Sequence, residues 1–169
     1  MRGIRLKFML WLYNWSSRLY ATVFKQHKQA WGLSKEDFSS FPKDSLGQAL
    51  WFFYEERGFD VMPKLENHDV FHVLTGIDTA IQDEIAMQYL LLGNGKISVY
   101  LVSMLLIGTF LFPEYAKYYL DTYSRGKSMN KFYNLEFKPY LSYSVKEMQK
   151  ALTINNLFIY QLTQYNHGK

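Results

Sequence analysis

Recurrent helix start and stop signals are the sequence feature that most constrains this fold. Three successive stretches each begin with polar, cap-forming residues and end at a glycine, which is the usual punctuation of α-helices. The predicted starts are Asp44 or Ser45, Asn67, and Asp78 or Thr79, and the glycines at the ends are Gly58, Gly76 and Gly93. Three helices are therefore expected to follow one another over this part of the chain.

Strand signals are missing from the same sequence. No alternating pair of segments is joined by a tight Asn-Gly or Asp-Gly turn, and Asn94-Gly95 lies between two helical patterns. Further helix punctuation lies at Pro113, Gly126, Ser144 and Glu147. The irregular stretch from Ser128 to Tyr143 is predicted to be a loop over the bundle. The predicted fold is all-α, a single bundle-like helical domain.

Composition supports one domain with a substantial core. The chain has 169 residues, of which 49% are hydrophobic and 18% aromatic, so it can bury a core without disulfide bonds or a structural metal ion. It contains no cysteine, which excludes disulfides, thiolate metal sites and a cysteine nucleophile. Any metal site must therefore use His, Asp and Glu.

Positive charge is concentrated at the N-terminus. Seven bases and no acid precede Glu36, whereas the rest of the chain holds 12 bases and 15 acids. In this arm Phe8, Leu12, Trp15 and Leu19 recur at helical spacing among the cations, as in helices that lie on membrane surfaces. An amphipathic helix packed on the core is the alternative. We divide the chain into this basic arm, residues 1–35, and a helical domain, residues 36–169, and expect no nucleic-acid binding.

The longest apolar run extends from Ile97 to Pro113. Its 17 residues fall just short of the roughly 18 to 20 that cross a bilayer. We predict a buried helix here, with a single membrane span as the alternative.

One group of residues has the spacing of a metal site. In HDVFH, the side chains of His68, Asp69 and His72 can converge on one helix face, because His72 lies four residues after His68 and three after Asp69. The next helix contains Glu84, which a turn near Gly76 can return toward the first helix. Two imidazoles and two carboxylates suit zinc, and manganese or iron as well. The alternative is that these are ordinary partly buried or solvated helix residues.

The run HDVFHVLTGIDTAIQDEIA resembles the Coq4 family of ubiquinone biosynthesis proteins, whose hallmark is HDxxH followed after eleven residues by Glu. Upstream, FPKDSLGQAL is similar to the family's segment ending in Leu-Gly, and TYSRGKSM is similar to its later Arg-Gly step. The resemblance covers roughly Phe41 to Ile154.

The resemblance implies a mostly helical protein that holds a metal, with zinc first, through His68, Asp69, His72 and Glu84. It further implies a prenylated hydroxybenzoate as substrate, whose carboxyl at the first ring carbon is removed, with or without hydroxylation. Another prenylated or polyene-linked aromatic is an alternative substrate. A non-catalytic scaffold that binds the prenylated precursor for other enzymes is the alternative function, and no catalytic residue is assigned.

The family also implies a peripheral position on a membrane, at the cytoplasmic face in a bacterium or the matrix side of the mitochondrial inner membrane. Expected partners are other quinone-biosynthesis proteins and a second copy in a homodimer.

Two departures from the family pattern touch the predicted site. Family members usually carry an Arg-rich lead before the HD pair and a glycine before the distal Glu, whereas this chain has PKLEN and Asp83. The missing arginines remove candidate anion contacts. The Asp83 carboxylate either points away from the site or becomes an extra ligand, and Asp83 is also the one neighbouring acid that could protonate the ring carbon.

Overall fold

The computed structural model describes residues 29–153 and, in the N-terminal arm, Gly3, Ile4 and Lys7. These described residues are helical or irregular, and their only strand-like pairing is one isolated antiparallel bridge between Ser45 and Ser144. The all-α prediction is therefore confirmed. The predicted amphipathic helix of the arm lies largely outside the described residues and stays a prediction.

The helices belong to two compact units. One unit contains Gln29–Gly76 and residues 129–153, and we call it the flanking unit. The other contains Ile77–Ser128, and we call it the central unit. The flanking unit is built from α1 (Lys35–Ser39), α2 (Leu46–Arg57), α3 (Glu66–Thr75) and α7 (Val145–Thr153). The central unit is built from α4 (Ile81–Gly93), α5 (Val99–Leu111) and α6 (Ala116–Ser128).

Capping explains where α2 and α3 end, and one predicted cap is wrong. The Ser45 hydroxyl accepts a hydrogen bond from the Gln48 N–H at the start of α2, and Gly58 ends that helix with a φ of 63°. Gly76 ends α3 in the same left-handed conformation, with a φ of 68°. The predicted N-cap Asn67, however, lies inside the first turn of α3, because its side chain bonds to a distant segment instead. Helix α4 begins at Ile81, slightly after the predicted start.

Two glycines that were predicted as helix ends lie where α4 and α6 pack closely, and only Gly93 is the last residue of its helix, as predicted. A Cβ atom at Gly126 would overlap the carbonyl oxygen of Leu90, and one at Gly93 would overlap that of Tyr123. The absence of side chains therefore lets α4 and α6 pack backbone to backbone. Helix α6 runs on to Ser128, so the predicted stop at Gly126 is wrong.

The stretch between α6 and α7 is irregular as predicted, but it is not a loop over the surface. Phe132 and Phe137 are buried, and both rings contact Phe71 of α3 at centroid distances of 5.4 and 6.1 Å. Backbone hydrogen bonds at 2.8 and 2.7 Å join Leu46 and Gly47 to the carbonyls of Tyr143 and Leu141. This stretch therefore supplies part of the core of the flanking unit, since its aromatic side chains point inward.

The apolar run forms α5, which is only partly buried. Leu101, Met104 and Leu105 point into the protein, whereas Leu106 and Phe110 are 69% and 84% exposed. The prediction of a buried helix is therefore wrong for one of its faces. Within the described part of the chain, no single helix has the length and apolar character needed to cross a membrane. One pair of helices has them only when taken together, with a bend of 103° between its members: Val99–Leu111 and Pro113–Ser128.

The close approach of α4 and α6 predicts the effect of a single methyl group. In Gly126→Ala the new Cβ meets backbone, which cannot move aside, so we expect a loss of about 1 to 3 kcal/mol in the free energy of unfolding. Gly108→Ala is the comparison variant: its Cβ would meet side-chain atoms of Ile85 at 2.7 to 3.0 Å rather than neighbouring backbone, so we expect a smaller loss. Urea unfolding followed by circular dichroism measures both. Equal stability of Gly126→Ala and the wild type would contradict this packing.

Candidate metal centre

Two histidines converge on one face of α3. His68 and His72 are one helical turn apart, and their Nε2 atoms lie 3.2 Å from each other with the rings perpendicular. Two zinc–nitrogen bonds of about 2.0 to 2.1 Å at a tetrahedral angle would separate the nitrogens by about 3.3 Å. The observed separation therefore fits two ligands of one ion, and it also allows an N–H···N hydrogen bond between neutral rings.

Aromatic side chains fix the orientation of both rings. The buried His72 ring stacks on Phe53 of α2, with centroids 5.7 Å apart and planes inclined by 20°. The half-buried His68 ring meets the edge of Phe71 at 6.3 Å. The Arg57 guanidinium lies 4.6 Å from the centre of the Phe53 ring, as in a cation–π contact. Rings packed in this way lose little freedom when they bind an ion.

Glu84 completes a candidate ligand group. One donor atom from each of His68, His72 and Glu84 lies within 4.8 Å of the others, and His72 and Glu84 are 3% and 5% exposed. This group could hold a metal ion, and it contains three of the four residues that the motif predicts. Two imidazoles and a carboxylate are ligands that zinc, manganese and iron all accept, so the group does not identify the metal.

Asp69 does not belong to this group. Its Oδ2 atom accepts a hydrogen bond of 2.9 Å from the hydroxyl of Tyr54, a residue of α2 that is 1% exposed. The role of Asp69 as a ligand stays a prediction. A carboxylate hydrogen-bonded beside a histidine ligand can also orient that ligand without touching the ion.

The departure at Asp83 has a local explanation. Its carboxylate accepts a hydrogen bond of 2.8 Å from the Tyr118 hydroxyl and a longer one of 3.4 Å from the Gln82 amide, and it is not part of the ligand group. Burial, aided by this contact, raises the pKa of Tyr118 to about 12. Asp83 is thus held by a neighbouring side chain of the central unit.

Several residues that support the site were not predicted from the sequence. Tyr54 and Phe53 act across 15 and 19 positions, and no short-range pattern indicates such contacts. Glu66 is 2% exposed and accepts a hydrogen bond of 2.9 Å from the Trp31 backbone N–H.

The fold and the ligand group together define an all-α protein with a candidate metal centre. Comparisons with known proteins identify its family. The family model of the coenzyme Q (ubiquinone) biosynthesis protein Coq4 matches residues 61–157, more than half of the chain. The chain belongs to this family of ubiquinone biosynthesis proteins.

A solved structure has a similar fold. It is that of a candidate ubiquinone biosynthesis protein from Nostoc punctiforme PCC 73102, 19% identical, with a TM-score of 0.61 over 92% of this chain and 82% of the other. At this identity the likeness establishes the fold alone. No curated protein matches the chain significantly.

The Tyr54–Asp69 contact predicts a dependence of stability on pH. Burial and the nearby carboxylates of Asp69 and Glu66 raise the pKa of Tyr54 above its ordinary value of 10.0. The unfolded chain therefore loses this proton first, so the free energy of unfolding falls as pH rises above about 10, by up to about 1.4 kcal/mol per pH unit.

We expect Tyr54→Phe to be less stable by about 1 kcal/mol below pH 9, because the hydrogen bond is lost, and to show a shallower decline above pH 10. Urea unfolding at several pH values measures both effects. Tyr143→Phe, at a 46% exposed tyrosine, is the control. Identical alkaline slopes for the wild type and Tyr54→Phe would contradict the buried contact.

Proposed function

We propose that this protein is a metal-dependent enzyme that removes the ring carboxyl of a prenylated hydroxybenzoate in ubiquinone biosynthesis. The observation that carries the proposal is the group formed by His68, His72 and Glu84. Catalytic zinc sites use three protein ligands and keep a position for water or substrate, whereas structural sites are closed by four. The group offers three protein ligands, which is the number that catalytic sites use, and Asp69 would close the site only by leaving its hydrogen bond with Tyr54.

The chemistry of the donor set fits this reaction. A divalent ion bound there would supply Lewis acidity to an oxygen of the aromatic acid. In the reaction the bond between the ring carbon and the carboxyl breaks, its electron pair stays on the ring, and a proton takes the place of carbon dioxide. The chain's own residues orient the ligands: Phe53 holds the His72 ring, and Tyr54 holds the Asp69 carboxylate.

The first experiment compares the wild type with a His68→Ala, His72→Ala double variant. Protein purified without a metal-affinity tag is offered zinc, manganese and iron, and elemental analysis measures the bound metal. We expect about one equivalent in the wild type and none in the variant, because both imidazole ligands are gone. His27→Ala, a histidine outside the motif, is the control, and circular dichroism verifies the fold.

Turnover separates the enzyme from the scaffold alternative. A 3-geranyl-4-hydroxybenzoate probe with a labelled carboxyl should release labelled carbon dioxide with the metal-loaded wild type only. Product analysis with and without oxygen shows whether hydrogen or hydroxyl replaces the carboxyl, since the hydroxyl needs an oxidant. Metal-dependent binding without release of carbon dioxide would favour the scaffold, and a wild type that binds no metal would contradict the proposal.

We further propose that the protein works on the surface of an anionic membrane, through the exposed face of α5. Val99, Val102, Leu106 and Phe110 lie three or four residues apart and so form one apolar stripe, and each is at least 42% exposed. The 13 residues of α5 span about 20 Å, less than the ~30 Å apolar core of a bilayer, so this face suits the interface. The basic arm adds attraction to anionic lipids.

Co-sedimentation with vesicles of phosphatidylcholine and phosphatidylglycerol tests this surface. We expect Leu106→Ser with Phe110→Ser to weaken binding at least tenfold, because two large apolar side chains no longer enter the lipid. Leu120→Ser, at an exposed leucine on α6, is the matched control. Unchanged vesicle binding by the double variant would contradict the proposal. A shift of the double variant from dimer to monomer in light scattering would also contradict it, because the face would then bind a second copy of the chain.

A further inference from the structure

One buried polar atom of α4 has no hydrogen-bond partner among the residues that the structure describes. The amide oxygen of Gln88 is buried and accepts no hydrogen bond from the described residues, and the residue as a whole is only 5% exposed. Buried polar atoms in native proteins almost always have a protein or water partner, because an unpaired one costs free energy. The partner of this oxygen is therefore expected to be a bound molecule.

The position of Gln88 indicates which molecule this is. Gln88 follows Glu84 by four residues in α4, so the two side chains share one face of the helix, with Cβ atoms about 5 to 6 Å apart. Both residues are equally buried. Since Glu84 belongs to the candidate ligand group, Gln88 lies one helical turn from a candidate ligand.

An amide oxygen can only accept a hydrogen bond, so its partner must be a donor. We propose that Gln88 recognises a hydroxyl group at the metal centre: its amide oxygen accepts a hydrogen bond from the phenolic hydroxyl of the aromatic substrate or from a water on the ion. This inference rests on the proposed function. A buried acceptor of this kind rejects rings that lack the hydroxyl, because it would be left unpaired in their complexes.

The test compares two ligands that differ only in that hydroxyl. The probes are 3-geranyl-4-hydroxybenzoate and 3-geranylbenzoate, titrated into protein loaded with Co²⁺. We expect the wild type to bind the hydroxylated probe about tenfold more tightly, the contribution of one buried hydrogen bond. Gln88→Leu should remove that preference, because it keeps the volume and loses the acceptor.

Two further variants keep the test decisive. Gln88→Met is an unbranched substitute of similar length, used if Gln88→Leu fails to fold. Gln149→Leu is the control, because this glutamine of α7 donates its amide hydrogen to the Val73 carbonyl instead. We expect it to retain the full preference for the hydroxylated probe.

The outcomes identify the source of the hydroxyl. If the Gln88 variants lose the preference for the hydroxylated probe but bind Co²⁺ as tightly as the wild type, the donor is the phenol of the substrate. If they bind Co²⁺ about tenfold more weakly in the absence of any probe, the donor is a water on the ion. If the Gln88 variants keep both the probe preference and the Co²⁺ affinity of the wild type, the role of Gln88 is overturned and the proposed function is not. A wild type that does not bind Co²⁺ would overturn it together with the proposed function.

Discussion

The contact between His68 and His72 is the interaction on which the rest of the account depends. Helical spacing brings the two residues to one face, but a separation of 3.2 Å between Nε2 atoms requires more, since two imidazolium ions would repel each other. The short distance is favourable when at least one ring is neutral, when the two nitrogens share a proton, or when both bind one metal ion. Phe53 and Phe71 hold the two rings in this arrangement, and the left-handed Gly76 ends α3 directly after them.

The rest of the flanking unit serves to keep α3 in place. Asn67 accepts a hydrogen bond of 3.0 Å from the Phe137 backbone N–H and donates one of 2.7 Å to Glu136, while Glu66 accepts from the Trp31 backbone. These polar side chains are buried in the first turn of the helix, where no side-chain cap is present. The helix that carries the histidines is thus anchored by segments far away in sequence, which limits its movement when a ligand binds.

Local signals in the sequence were enough for the helices and for most of the candidate site. Gly58 and Gly76 mark helix ends because a left-handed residue there is a backbone requirement, and HDxxH marks one helix face because its spacing is that of a helical turn. Gly93 ends α4 as predicted, but the predicted stop at Gly126 is wrong, because a glycine that ends a helix and one that admits a neighbouring backbone look alike in sequence. Tyr54 and Gln88 were missed, since a tertiary hydrogen bond and a buried unpaired atom leave no local pattern. The exposed stripe of α5 was missed because apolar content does not reveal which side of a helix is covered.

A crystal structure of the zinc-loaded protein, with anomalous data collected on both sides of the zinc edge, tests the central claim most directly. The account predicts one anomalous peak bonded to Nε2 of His68 and of His72 at about 2.0 to 2.1 Å, with a carboxylate oxygen of Glu84 as the third protein ligand. The absence of a peak at the histidine pair, or zinc bound to other residues while the two rings stay in contact with each other, would contradict it.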